Sequence, residues 1–302
     1  MTTTMLQQKE SDYGGSADAI RYHYDVGRAF YALWLDETMA YSSALWESPT
    51  TTESLAVAQH RKIAYHLDNA RACRATRLLD IGCGWGGLMR AAAQLPNISH
   101  IVGLTLSEDQ AACVREIGDS KFEVRLENWV DHRPTAPYDS IVSIGALEHF
   151  AKPSDTIEEK IKVYRDFFNA CRSWLSPEGR MSLQTIAYGT MRREEASQFI
   201  NQEIFPDADL PTLAEIAAAV EGVMEITAVA NHRLHYARTF ETWAANLKKN
   251  HTAAVKLVGE ETTVRYERYL TQSSTGFYMG KIGLLRLALR PISSSWRQMA
   301  AT

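Results

Sequence analysis

At 302 residues, with 45% hydrophobic and 10% aromatic content, the chain is long enough to bury one large core or two modest ones. Its formal net charge of -4 comes with no block of one sign, which argues against general nucleic-acid binding through phosphate neutralisation. No run of about 18 apolar residues is present to span a membrane.

In chain order, residues 1–18 lack the basic-then-apolar order of a signal peptide and read as a flexible lead-in to one domain over 19–302. Within it, 19–71 reads as a helical lid. Tyr24, Phe30, Tyr31 and Trp34 recur at loosely helical spacing, a stripe that by default packs on a core, and the polar-aromatic loop Tyr41-Ser42-Ser43 follows. A helix is expected over Thr52–Arg71, with Leu55, Ala58, Ile63 and Leu67 on one face. His60 and His66 on it read as surface or packing residues, because no acidic or thiol partner stands at metal spacing. Cys73, Cys83, Cys113 and Cys171 are scattered likewise and read as free thiols of a reducing cytoplasm.

Leu78, Leu79 and Ile81 form a short apolar run, a buried strand, broken by glycines at 82, 84, 86 and 87 before LMRAAAQL resumes as a helix. Such a strand, tight turn and helix suit a nucleotide-like group, since side chains are absent where the backbone turns and where a ligand nears the helix start. Gly82, Gly84 and Gly87 also fit the dinucleotide fingerprint G-x-G-x-x-G. That fold wants an acidic residue at the end of the second strand; here the strand ends in Thr105, Leu106 and Ser107, with Glu108 and Asp109 just beyond.

Alternation continues as a doubly wound α/β sheet requires: strands over His100–Thr105, Phe122–Leu126, Tyr138–Ile144 and Arg180–Ile186, with helices over Glu108–Ile117 and Glu158–Leu175. Ligands in such sheets sit at the strands' carboxyl ends. That rule gathers Asp80 to Gly86, Thr105, Asn128, Trp129, Ile144 to His149 and Gln184 into one ring. Residues 187–211, with Met191, Phe199, Ile200, Ile204 and Phe205 among charges, read as a cap over the pocket. A helix over Thr212–Val220, a strand over Met224–Asn231 and a helical tail from His235 to about Thr275 follow. The last stretch, GFYMGKIGLLRLALRP, reads either as a membrane-surface helix or as a segment packed on the domain. The second reading is favoured because its polar face is not strongly basic.

With these motifs in place, the chain resembles the cyclopropane fatty acid synthase family, especially its mycolic acid cyclopropane synthase branch. The matching stretches are HYDVGRAFYALWLD, YSSALW, LLDIGCGWGG, VGLTLSEDQ, SIGALEHF, EIFPDADLP, LHYART and RYLT, and they cover most of the chain. The resemblance implies a seven-stranded, mostly parallel sheet of the class I methyltransferase, Rossmann-like type and S-adenosylmethionine (SAM) as cofactor. It implies SAM contacts from Tyr41, Ser42, Gly82, Gly84, Thr105, Leu106, Gln110, Trp129 and Ile144. Asp80, Gly86 and Asn128, in the same ring, complete the expected cofactor set. Where the mycolic branch has an acidic adenine contact, this chain has Val130, with Asp131 next door.

The family transfers the SAM methyl to an alkene carbon, and a base then removes a proton from the carbocation. The resemblance implies a bound bicarbonate as that base. Glu148 and Tyr236 match the family's glutamate and tyrosine, whereas its cysteine is Ser43 here and its histidine Gln184. His149 is a further candidate, as a catalytic group or as support for its neighbour. Both Ser43 and Gln184 can still donate to an anion; equally, Glu148 itself can take the proton. As a bland alternative, Glu148 and His149 are a helix-capping acid and a packed neighbour. The cap looks shorter than in lipid-acting relatives and the loop after His149 longer, which suggests a smaller or more polar substrate. The leading expectation is a cytoplasmic C-methyltransferase of an unsaturated acyl lipid, isoprenoid or other natural-product alkene, in peripheral contact with a membrane at most. N-methylation of a small amine and a catalytically silent SAM-binding domain are the alternatives.

Overall fold

The computed structural model describes residues 26–48, 50–195 and 208–292. The expected lead-in over 1–18, Tyr24, and Phe199, Ile200, Ile204 and Phe205 of the expected cap lie outside the described residues. A short helix α1 (Arg28–Tyr31) and a longer α2 (Leu55–Asn69) precede the sheet. Ser54 accepts a bond from the Val57 N–H at the start of α2, a cap that satisfies one of the orphan amides there.

The first strand, β1 (Arg77–Ile81), leads into α3 (Gly87–Ala92); β2 (His100–Thr105), α4 (Glu108–Glu116), β3 (Phe122–Leu126) and β4 (Tyr138–Ile144) follow. Helix α5 (Ile157–Trp174) opens on a capping box between Thr156 and Glu159 and runs into β5 (Leu175–Tyr188). After it come α6 (Leu213–Val220), β6 (Met224–Asn231), α7 (Arg233–Lys249), α8 (His251–Tyr278) and β7 (Ile282–Pro291).

These strands make a seven-stranded sheet in the order β3-β2-β1-β4-β5-β7-β6. The first five pair in parallel, and β7 runs antiparallel between β5 and β6. On one face Tyr164, Phe167 and Phe168 of α5 pack against Ile141, Met181 and Leu183. On the other, Ile63 and Leu67 of α2 and Met89 of α3 meet Leu78 and Ile101. A third cluster joins Phe30, Tyr31 and Trp34 to Phe240, Trp243, Tyr266 and Phe277 of α7 and α8, so the N-terminal aromatic stripe is core.

Three expectations are corrected. The apolar C-terminal stretch is not a surface helix; it packs on the domain as favoured, but as a strand, β7, from Ile282, inserted into the sheet and buried from Gly283 to Leu289. The helical tail is two helices, α7 and α8, and α8 is itself broken at Gly259, whose φ of 83° no helix accommodates. Strand β5 begins at Leu175 rather than Arg180 and ends at Tyr188, so the first two residues of the expected cap belong to it.

Candidate active site

Two adjoining cavities lie over the carboxyl ends of the parallel strands and share Tyr41, Ser42, Gly145 and His149 in their walls. The first, about 160 Å³, is lined by every expected cofactor residue except Gly86: Tyr41, Ser42, Asp80, Gly82, Gly84, Thr105, Leu106, Gln110, Asn128, Trp129 and Ile144. Gly86 instead caps α3 with a φ of 79° and faces Val114, so its glycine serves the turn rather than the cavity wall. Gly84, at φ 53°, has nothing within 4 Å of where a Cβ would stand, which leaves its backbone open to a ligand.

The walls combine fixed polar groups with one indole. The Thr105 hydroxyl donates to Gln110 Oε1 at 2.7 Å. Trp129 is held edge-on by Phe167 and tilted against Phe150, both at 5.4 Å between centroids. Two opposite charges are sunk in this cavity. Asp80 is buried with Oδ2 lacking any hydrogen-bond partner; burial raises its pKa to about 7, with Lys62 pulling the other way. Lys62 donates to Ser42 Oγ at 2.8 Å, and burial, then Arg286, lowers it to about 7. Lys62 was not among the sequence candidates. The signal was there in the helix phase: Leu55, Ala58, Gln59, Lys62, Ile63 and His66 form the buried face of α2.

The second cavity, about 370 Å³, is lined by Glu148, His149, Gln184 and Tyr236, with Ile186, Leu210, Phe240, Phe277, Ile282 and Leu284 as apolar wall. Glu148 Oε1 accepts from the Ile186 N–H at 2.6 Å, while Oε2 is buried without a partner. Burial raises this carboxyl to about 7 against the pull of the Ile186 amide, its own amide and the Thr185 side chain. His149 is driven down to about 4 by burial and is neutral. Tyr236 stacks on Phe240 at 4.6 Å and tilts against Phe277 at 4.7 Å.

Ser43 does not join them. Its side chain is fully buried, with Oγ donating to the Ala44 carbonyl at 2.9 Å, because the extended loop turns Ser42 toward Lys62 and Ser43 to the opposite side. Arg286 of β7 is a second residue that the sequence reading missed. It donates to Gln184 Oε1 at 2.8 Å and to the Ser43 and Ala44 carbonyls at 3.2 Å. His66, read as a packing residue, is buried against Ser182 and Gln184. Among the described residues no helix is long and apolar enough to cross a membrane.

Residues 12–287 match the family described as mycolic acid cyclopropane synthetase. The chain is 36% identical to cyclopropane mycolic acid synthase 3 of Mycobacterium tuberculosis over 279 residues, which span 86% of this chain and 92% of that protein. It is 32% identical to a probable fatty acid methyltransferase of Pseudomonas putida over 304 residues, 98% of this chain and 75% of the relative. The solved structure of mycolic acid cyclopropane synthase CmaA1 complexed with SAH and CTAB superposes with a TM-score of 0.81 at 32% identity, over 91% of this chain and 98% of that one. With a methyltransferase sheet, a glycine-turned cavity at its strand ends and matches over most of its length, the chain belongs to the mycolic acid cyclopropane synthetase family and is a SAM-dependent methyltransferase.

Proposed function

We propose that the chain methylates a carbon–carbon double bond of an apolar substrate, an unsaturated acyl chain or a comparable isoprenoid or natural-product alkene, with Glu148 accepting the proton that the resulting carbocation loses. One observation carries this reading. Glu148 stands on the wall of an aromatic-lined cavity next to the cofactor cavity, one carboxylate oxygen fixed by a backbone amide and the other without a partner.

The first cavity fits SAM by its donor set. Asp80, with its orphaned oxygen, would hold the ammonium of the amino-acid end and Lys62 its carboxylate; Thr105 and Gln110 suit ribose hydroxyls, and Trp129 an adenine face. When bound, SAM supplies an electrophilic methyl group. The residues of the second cavity then align and shield the alkene, a weak nucleophile that reacts only if held in line and kept from water. Ile186, Phe277 and Leu284 grip apolar substrate, while Tyr236 and Phe240, stacked on one another in the wall, add ring electrons that would stabilise positive charge on carbon. Glu148, with a pKa near 7, is a base matched to neutral pH. Loss of a proton from carbon beside the cation leaves a methyl branch; loss from the transferred methyl closes a cyclopropane. Names among the relatives, a cyclopropane mycolic acid synthase and a probable fatty acid methyltransferase, support both the chemistry and an acyl substrate.

A bicarbonate-relayed deprotonation is the second reading, favoured by Gln184 and Tyr236 lining the cavity with Glu148. The deciding experiment incubates the chain with methyl-labelled SAM and either monounsaturated phospholipid vesicles, prenyl alcohols or small secondary amines, and reads products by mass. Methylated alkene is expected, with Glu148→Gln abolishing transfer while SAH affinity stays. Methylated amine alone, or full turnover by Glu148→Gln, overturns the proposal. Stimulation by added bicarbonate supports the relay.

A further inference from the structure

Gln184 lines the second cavity, and its surroundings decide how its amide is turned. Arg286 Nε lies 2.8 Å from one terminal atom of the side chain. A guanidinium only donates, so that atom is the amide oxygen. His66 Nε2 approaches the same oxygen at 3.3 Å and therefore carries its hydrogen, which leaves Nδ1 to accept the Ser182 hydroxyl at 2.8 Å. Both donors are fully buried, and Arg286 is itself fixed by His232 Nδ1 at 2.9 Å and by the two loop carbonyls. With the oxygen engaged twice, the NH2 has no acceptor among the described residues, and Gln184 lines the cavity.

We propose that Arg286 is a positioning residue that locks the Gln184 carboxamide with its oxygen turned away from the substrate cavity and its NH2 turned into it, His66 taking the tautomer that this orientation calls for, and so presents a fixed donor to an oxygen acceptor of the bound reactants. A flipped amide would set NH2 against a fully buried guanidinium, which has no lone pair to accept it, whereas the His66 imidazole can change tautomer and follow either orientation. The same arrangement selects chemistry. Beside Glu148 the cavity offers an amide donor backed by a buried cation, which suits a carbonyl, carboxylate or bicarbonate oxygen and repels an ammonium group. No carboxylate among the described residues pairs with Arg286, so its charge is felt there.

The role as donor rests on the alkene-methylation reading, whereas the amide's orientation does not, and the test separates the two. In the full chain with SAH bound, nitrogen-15 NMR of the Gln184 side chain, assigned by its loss in Gln184→Leu, is expected to give a single sharp NH2 pair. Arg286→Gln, which pairs with either end of the amide, is expected to split or broaden it, and Arg286→Lys, which still only donates, to keep it single. Two populations in the native chain, or an unchanged single pair in Arg286→Gln, overturn the lock.

Turnover with labelled SAM and monounsaturated phosphatidylethanolamine vesicles tests the donor. Gln184→Leu and Arg286→Gln should each lower kcat by about 10- to 100-fold with little change in KM, and the double variant should be no worse than Gln184→Leu alone. Arg286→Lys should recover most of the loss. Additive losses, or a loss in Arg286→Gln without one in Gln184→Leu, would mean that Arg286 acts on the fold and not through the amide.

Discussion

A carboxyl group that burial holds near pH 7 is a base only in its ionised form, so the role proposed for Glu148 would tie methyl transfer to pH. Transfer by the native chain should rise with pH through a midpoint of about 7, since the protonated carboxyl cannot accept a proton. Glu148→Asp should lower kcat and move the midpoint; a pH-independent kcat in the native chain would remove Glu148 from the chemistry. In the first cavity the buried Lys62 makes a separate forecast. Lys62→Met should weaken SAH binding by about 10- to 100-fold, the value of one charged hydrogen bond, and leave 5′-methylthioadenosine, which has no amino-acid group, unaffected in calorimetry. Equal losses for both ligands would mean a collapsed cavity instead. Most of the first cavity's wall was legible in the sequence because it is backbone-determined: a glycine turn and short polar residues at strand ends cannot sit elsewhere. Lys62 and Arg286 escaped because residue type argues for exposure of both, and only their place on buried faces overrides it. Ser43 misled for another reason: matching a motif position does not fix which way an extended loop turns its side chain.

At the scale of elements, strands β2, β3, β4 and β6 fall on the expected bounds because each is a compact run closed by turn signals. Strand β7 did not declare itself. A strand covered on both faces loses the alternation that marks strands, and its interspersed arginines resemble a polar helix face. In the fold Arg286 is spent inside the molecule in its buried bonds, while Arg290 pairs with Glu225 at 2.6 Å at the surface. The second cavity was harder still, since Tyr41 from the N-terminal segment and Tyr236, Phe240 and Phe277 from α7 and α8 meet only through long-range packing. Trp34 holds these elements together, fully buried and edge-on to Trp243 at 5.6 Å, and touches neither cavity. Replacing it by alanine should cost about 3–5 kcal/mol in urea unfolding, the usual range for emptying an aromatic site. A loss below about 1 kcal/mol would mean that the N-terminal segment is not part of the cooperative core.

For the whole molecule, the buried titrating groups set a stability profile whose sign can be worked out. Asp80 and Glu148 are raised to about 7, so the folded chain keeps protons that the unfolded chain releases, and both lower stability as pH climbs from about 4 toward 7. His149 and His232 are lowered to about 4, and His66 is lowered too, so over the same range the unfolded chain binds more protons and stability rises. Acids and histidines therefore oppose one another below neutrality and leave a shallow profile. Above pH 7 the balance passes to Lys62, which burial brings from 10.5 to about 7. Between there and about pH 9 the unfolded chain holds a proton that the folded chain has shed, so stability should increase, by roughly 1–2 kcal/mol between pH 7 and 9. The thiols of Cys83 and Cys171, raised by burial, begin to oppose this only near the ordinary thiol value of 9.0. Urea midpoints of the ligand-free chain at pH 7 and 9 measure the rise, and Lys62→Met should flatten it. If that variant kept the full increase, the alkaline stabilisation would belong to other groups and Lys62 would not be the buried cation of the first cavity.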